Sequence, residues 1–265
     1  MDYQIKGKLA FVTAGAHGIG EAIANLLAQG GVGVIVADQD EAALKEKGGA
    51  WRATFASNLA TAEGMDAAIS HMVGAFGRAP DILVNNLGLA DPIPFESFSD
   101  EQWTRAVDIN LMGCVRTCRA LLPKMAALGS ASVVNIASDL AKQPEPGLMA
   151  YGACKAALLH VTKNLAKEYA PKIRVNAVSP GPVWTRLWTR PGGIVDQLVA
   201  HYGVDKDAAV KRFLEERYMP LGIGQPEDVA HAVVFLASPL AKFITGANLD
   251  IGGDTARTDL TAGVQ

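Results

Sequence analysis

Tyr151 and Lys155 stand four residues apart in the run YGACK. At that spacing on a helix the two side chains share one face. An ammonium beside a phenol favours the phenolate and lowers its pKa towards neutral pH, so Tyr151 can take or give a proton as a general base or acid. Such a pair arises by chance on many helices and needs companions. Ser138 lies 13 residues earlier, across the loop AKQPEPG. Its hydroxyl can polarise a carbonyl beside the tyrosine, or simply cap a turn. Asn110, in VDINLMG, is a polar amide on a largely apolar helical stretch and must find a partner. That partner is a water or the helix backbone near Lys155.

A second group of residues suits a nucleotide. In TAGAHGIG, Thr13 to Gly20, the glycines 15, 18 and 20 separate a short apolar run from a longer mixed one. Glycine there permits a tight turn and lets backbone N–H groups and a helix N-terminus approach a pyrophosphate. Ala14 stands where a first glycine is expected, and it matters if its backbone needs a positive φ, at about 1 kcal/mol. Asp38 ends the run VIVAD, 18 residues after Gly20, where a carboxylate accepts hydrogen bonds from an adenosine ribose. The same carboxylate repels a 2′-phosphate. Gln39 and Asp40 add no cation, and a histidine such as His17 carries little charge at pH 7. The reading is NAD over NADP.

These residues must be positioned by strands and helices. Apolar, β-branched runs fall at 9–13, 32–37, 52–56, 82–85, 132–138, 173–179 and 247–251, and helix-like stretches at 18–30, 40–48, 61–77, 100–128, 149–170 and 226–237. Most of the strand runs are apolar on consecutive positions, as when helices cover both faces of a sheet. Asp40, Thr61, Ser99 and Pro226 supply helix start signals. The alternation predicts an α/β fold with one parallel, doubly wound sheet and right-handed crossovers, in a single domain over 1–265. One interruption, 184–218, carries two predicted helices and a hinge at Pro191 to Gly193, and reads as a substrate lid. Trp184, Leu187 and Trp188 in it suit an apolar or ring-bearing substrate, or packing within the segment. Arg186 and Arg190 can pair with a carboxylate or face water.

Composition narrows the classes. With 49% hydrophobic and 19% charged residues the chain is globular rather than disordered. A net charge of −3 provides no basic footprint for nucleic acid or anionic lipid. No apolar run reaches bilayer length, and MDYQIKGKLAFV lacks the features of a secretory signal, so a soluble, cytoplasmic protein is expected. Three cysteines without paired spacing argue against a disulfide framework or a metal site. Cys114 and Cys118, four apart, share a helix face as small buried hydrophobes.

Taken together, the motifs resemble those of the classical short-chain dehydrogenase/reductase family from about residue 6 to 253. Thr13 to Gly20 is similar to that family's Thr-Gly-x-x-x-Gly-x-Gly, and Asn85-Asn86-Leu87-Gly88 to its Asn-Asn-Ala-Gly. Asn110, Ser138, Tyr151 and Lys155 match its catalytic four, and Pro180-Gly181-Pro182-Val183-Trp184-Thr185 follows the sixth strand. The resemblance implies a Rossmann-type, seven-stranded sheet, a nicotinamide cofactor, and interconversion of a secondary alcohol and a ketone by hydride transfer. It implies that Tyr151 exchanges the proton, Lys155 also bonds the nicotinamide ribose, Ser138 orients the substrate oxygen and Asn110 supports a relaying water. On the cofactor side it places Gly15, His17, Gly18, Ile19, Gly20, Asp38, Asn58, Leu59, Asn86, Gly88, Pro180, Gly181, Val183 and Thr185; Trp184 and Trp188 fall on the substrate side. Leu87 for alanine and Asn58 for a common aspartate are departures, besides Ala14. The small and apolar residues on several faces of 100–128 and 149–170, with the resemblance, imply a homotetramer. A catalytically idle NAD-binding scaffold of the same fold is the alternative, and the four filled catalytic positions weigh against it. Carbon–carbon double-bond reduction fits less well, because related enoyl reductases space Tyr and Lys farther apart.

Overall fold

The computed structural model describes residues 2–217 and 219–253. Seven parallel strands form one sheet: β1 (Leu9–Thr13), β2 (Gly33–Asp38), β3 (Ala53–Ala56), β4 (Ile82–Asn85), β5 (Ala131–Ile136), β6 (Ile173–Pro180) and β7 (Asn248–Ile251). Their order is β3-β2-β1-β4-β5-β6-β7. The chain leaves β1 towards β2 on one side and later returns to pair β4 on the other. That reversal opens a crevice at the C-terminal ends of the strands.

The strand runs are apolar without a break because each face has its own cover. Val12, Val34 and Val36 join Ile23, Leu27 and Val233 in one core; Phe11, Ile35 and Leu83 join Met72, Leu121 and Leu158 in the other. Burying each such side chain is worth roughly 1.5–3 kcal/mol. The first cover is α1 (Gly18–Gln29) with α10 (Pro226–Ala237), and the second is α3 (Ala62–Phe76), α5 (Gly113–Ala126) and α6 (Met149–Tyr169). The predicted start signals act as such. Asp40 accepts from Ala43 N at 3.0 Å at the head of α2 (Glu41–Lys47), and Thr61 accepts from Gly64 N at 3.0 Å. Ser99 forms a reciprocal capping box with Gln102 at the start of α4 (Asp100–Val107).

Two stretches differ from their predicted form. The helix expected over 100–128 is interrupted by a π-helical turn at Asp108–Met112. Asn110 Nδ2 donates to the Ala106 carbonyl at 3.0 Å, so a side-chain donor enters the backbone ladder there, a known cause of local widening. The 184–218 segment holds three helices rather than two: α7 (Arg186–Thr189), α8 (Ile194–Tyr202) and α9 (Lys206–Glu216). A four-residue helix is too short to show a periodicity. Cys114, Cys118 and Cys154 are free and buried. Asn85 Nδ2 lies 3.3 and 3.5 Å from the first two sulfurs and donates to Asn135 Oδ1 at 2.8 Å. Among the described residues no helix is long and apolar enough to cross a membrane.

Candidate active site

Near the C-terminal strand ends, Asp38, Asn58, Leu59 and Gly88 line one cavity, and Asn110 and Tyr151 line a second one beside it. The turn after β1 is the phosphate-cradle candidate, and its backbone shows why glycine is required. Gly18 has φ +54°, and Gly20 packs so closely that a Cβ would stand 2.5 Å from the Ala14 carbonyl oxygen. Asn86 fixes that carbonyl by donating to it at 2.8 Å, while its own N–H donates to Thr13 Oγ1 at 3.0 Å. The Asn86 amide thus braces the turn that was read as the cofactor side. Ala14 itself adopts φ +52°, the left-handed region that costs an L side chain about 1 kcal/mol or more. The turn keeps the glycine-type conformation without the glycine.

A cavity of about 340 Å³ runs from this turn along the sheet edge, lined among others by Ala14, Asp38, Asn58, Leu59, Gly88 and Ile109. Asp38 sits at its β2 side, buried, with one oxygen accepting from Ala16 N and the other from Asp40 N, each at 3.0 Å. The carboxylate thus ties the phosphate turn to the start of α2, a role the sequence did not show. Asn58 caps its own turn through Ala60 N at 3.1 Å. The segment after β6 lies beside the turn, outside the cavity lining. Gly181 N donates to Ile251 O at 3.0 Å, Val183 is buried and bridges to Gly224, and the Thr185 methyl stands 3.1 Å from where a Gly18 Cβ would be. Ile19 packs its side chain against the core beneath α1. A glycine cradle, a helix N-terminus and a ribose-level carboxylate around one cleft fit a dinucleotide.

The chemical group lies beside Gly88. A Cβ on that glycine would be 3.1 Å from Lys155 Nζ and 3.3 Å from Asn110 Oδ1, so both polar heads approach the bare backbone. Asn110 clamps the β4 exit: Oδ1 accepts from Leu89 N at 2.8 Å and Nδ2 donates to Leu89 O at 3.0 Å. Lys155 is buried, donates to Ile136 O at 2.9 Å, and stands 5.5 Å from the Tyr151 ring centre. Burial pushes its pKa down to about 8, against a smaller upward pull from Cys114 and Cys154. The Tyr151 phenol is pushed up to about 12: burial raises it most, a hydrogen bond with Ser138 pulls it down, and the Asp139 carboxylate raises it further. The phenol was expected to be lowered by Lys155. Desolvation prevails, because the ammonium is bonded to the Ile136 carbonyl rather than to the phenolic oxygen. Ser138 caps the next turn through Leu140 N at 3.2 Å and donates to Asp139 Oδ1 at 3.0 Å.

The 184–218 segment, which the sequence reads as a lid, leaves β6 and packs largely on itself. Trp188, expected to meet substrate, is buried inside the lid, edge-on to Trp184 at 5.3 Å and to Phe213 at 5.5 Å between ring centres. Its hydrophobic area is covered by neighbouring rings, which leaves the half-buried Trp184 as the outer member of the stack. Two contacts missed in the sequence fasten the lid. Arg217 pairs with both oxygens of Glu145, at 2.7 and 2.6 Å, joining α9 to the loop between Ser138 and Tyr151. Arg186 reaches His17 and Asp40 across the cleft. No sequence signal marks either pair, since the partners lie 72 and 169 residues apart.

Comparison with known proteins bears on this arrangement. A family model described as enoyl-(acyl carrier protein) reductase matches residues 13–253. D-threitol dehydrogenase of Mycolicibacterium smegmatis is 35% identical over 95% of this chain and 94% of its own length. The structure of L-sorbose reductase from Gluconobacter frateurii, complexed with NADPH and L-sorbose, superposes with a TM-score of 0.90 at 31% identity, over 97% of this chain and 100% of that one. A 3-ketoacyl-(acyl-carrier-protein) reductase from Brucella melitensis, complexed with NADH, gives 0.83 at 32% identity, over 96% and 100%. The chain belongs to the short-chain dehydrogenase/reductase family of oxidoreductases, whose nucleotide-binding sheet it shares.

Proposed function

We propose that the protein is an NAD-dependent dehydrogenase that interconverts a secondary alcohol and a ketone, with Tyr151 as the general acid and base. The observation that carries this is the grouping of Ser138, Tyr151 and Lys155: Lys155 Nζ stands 3.1 Å from where a Gly88 Cβ would be and 5.5 Å from the centre of the Tyr151 ring, whose phenol bonds Ser138. NAD, when bound, supplies the hydride acceptor. Ser138 and Tyr151 hold the substrate oxygen between them, and Tyr151 takes the hydroxyl proton in oxidation or returns it in reduction. Lys155 keeps positive charge near the phenolic oxygen and is placed to bond a ribose hydroxyl; Asn110 holds the β4 exit against which the nicotinamide would lie. Gly15, Gly18 and Gly20 take the pyrophosphate, Asp38 the adenosine ribose, and Asn58 with Leu59 the adenine. Pro180, Gly181, Val183 and Thr185 take the carboxamide side. Asp38 supports NAD over NADP, although the two solved relatives above carry NADPH and NADH respectively.

D-threitol and L-sorbose, in the names of two relatives, put small polyols and ketoses first in a substrate panel. Tyr151→Phe keeps the ring and removes the ionisable oxygen. Turnover should fall by about the 10²–10⁴-fold of general acid–base catalysis, with NADH affinity nearly intact. A variant that retains most of its turnover on the best panel substrate would refute the assignment. Oxidation needs the deprotonated phenol, so its rate should rise with pH, whereas reduction should fall once the phenol ionises. For assembly, Ala153, Ala156 and His160 leave one side of α6 open, and Phe243 is fully exposed near β7. This supports a homotetramer, and a monomer mass by light scattering at micromolar concentration would exclude it.

A further inference from the structure

The corner beside Asp38 is more elaborate than a single carboxylate. His17, at the head of α1, has Nε2 within 2.7 Å of Asp40 Oδ2 and within 2.8 Å of Arg186 Nη1. The guanidinium is 3.6 Å from the same Asp40 oxygen. Asp40 follows Asp38 by two residues and donates its backbone N–H to it at 3.0 Å. Three elements meet here: the phosphate turn, the start of α2, and the lid. The other cation near the turn, Lys47, is engaged by Glu21 at 2.7 Å and by the Ala16 carbonyl at 2.9 Å.

We propose that Asp40 is a specificity-determining residue for the cofactor: by pairing with Arg186 it withholds that guanidinium from a 2′-phosphate at the Asp38 corner. The inference rests on the reading of Asp38 as the ribose acceptor. In charge terms, Asp38, Asp40 and Glu21 outweigh Arg186 and Lys47, and the corner repels a dianionic phosphate. Without the Asp40 charge, Arg186 is freed to face the incoming phosphate. Arg186 is also well suited to the task, since its guanidinium is 65% exposed and a planar fork matches phosphate oxygens. Asp40 acts through its partners and does not itself need to touch the nucleotide.

The test is binding of ADP and of adenosine 2′,5′-bisphosphate, followed by calorimetry on the full chain. Asp40→Asn keeps an oxygen to accept from Ala43 N and keeps the backbone donor to Asp38. The ratio of bisphosphate to ADP affinity should rise about tenfold over wild type, the scale of removing one charge at a partly exposed site facing a dianion. The double variant Asp40→Asn with Arg186→Gln should lose that rise. Asp40→Ser, which also retains a capping oxygen, should repeat it if the asparagine variant folds poorly. A ratio unmoved in both single variants, or a rise that survives loss of Arg186, overturns the proposal. Wild type binding the bisphosphate more tightly than ADP would instead refute the NAD reading, while the shift on replacing Asp40 would still judge this one.

Discussion

Lys155→Met separates the chemistry of Lys155 from its effect on the fold. The ammonium is buried at 2% exposure, and desolvation holds its pKa at about 8, against 10.5 for the free side chain. A depressed lysine pKa means that the unfolded chain binds more protons than the folded one between those values. Wild-type stability therefore rises with pH across about 8–10.5 and carries the full penalty below 8. At 1.36 kcal/mol per pKa unit the full penalty is about 3 kcal/mol, and about 1 kcal/mol of it remains at pH 9.5. Methionine fills a similar volume without charge, though it leaves the Ile136 carbonyl without its donor, at about 1–3 kcal/mol. Urea unfolding at 25 °C and fixed protein concentration should show the variant equal to or more stable than wild type at pH 7. That advantage should shrink by about 2 kcal/mol on moving to pH 9.5. The variant should at the same time lose turnover and bind NADH more weakly. A stability difference that does not change between pH 7 and 9.5 would refute the buried-charge argument, whatever the activity.

Two further outcomes follow from the cofactor turn. Ala14→Gly relieves the positive φ, worth about 1–2 kcal/mol, less about 0.4–1 kcal/mol of unfolded-state entropy; a gain of roughly 0.5–1 kcal/mol in urea unfolding is expected, and a loss would mean that the Ala14 methyl packs usefully. Asp38→Ala strips the acceptor from Ala16 N and Asp40 N together, so it should cost about 1–3 kcal/mol of stability as well as NAD affinity, and a variant as stable as wild type would show that the carboxylate does not hold the turn.

The sequence determined much of this protein because its signals are local. The glycine turn, Asp38 at a strand end, the Tyr151–Lys155 spacing and the caps at Asp40, Thr61 and Ser99 each depend on a few neighbouring residues, and the unbroken apolar runs announce a sheet covered on both faces. Tertiary structure alone decided the rest. Whether Ala14 takes a positive φ depends on how Asn86, more than seventy residues away, grips its carbonyl. Trp188 faces the lid interior because Phe213 arrives to cover it. The Tyr151 shift runs opposite to what spacing implies for the same reason: spacing shows that Lys155 is near, but not that the ammonium is bonded to Ile136 and that desolvation outweighs it. Arg186 meets Asp40 only because the segment after β6 comes to lie beside the phosphate turn. Charge and burial act through space, and chain distance reports space only within a helix turn or a strand.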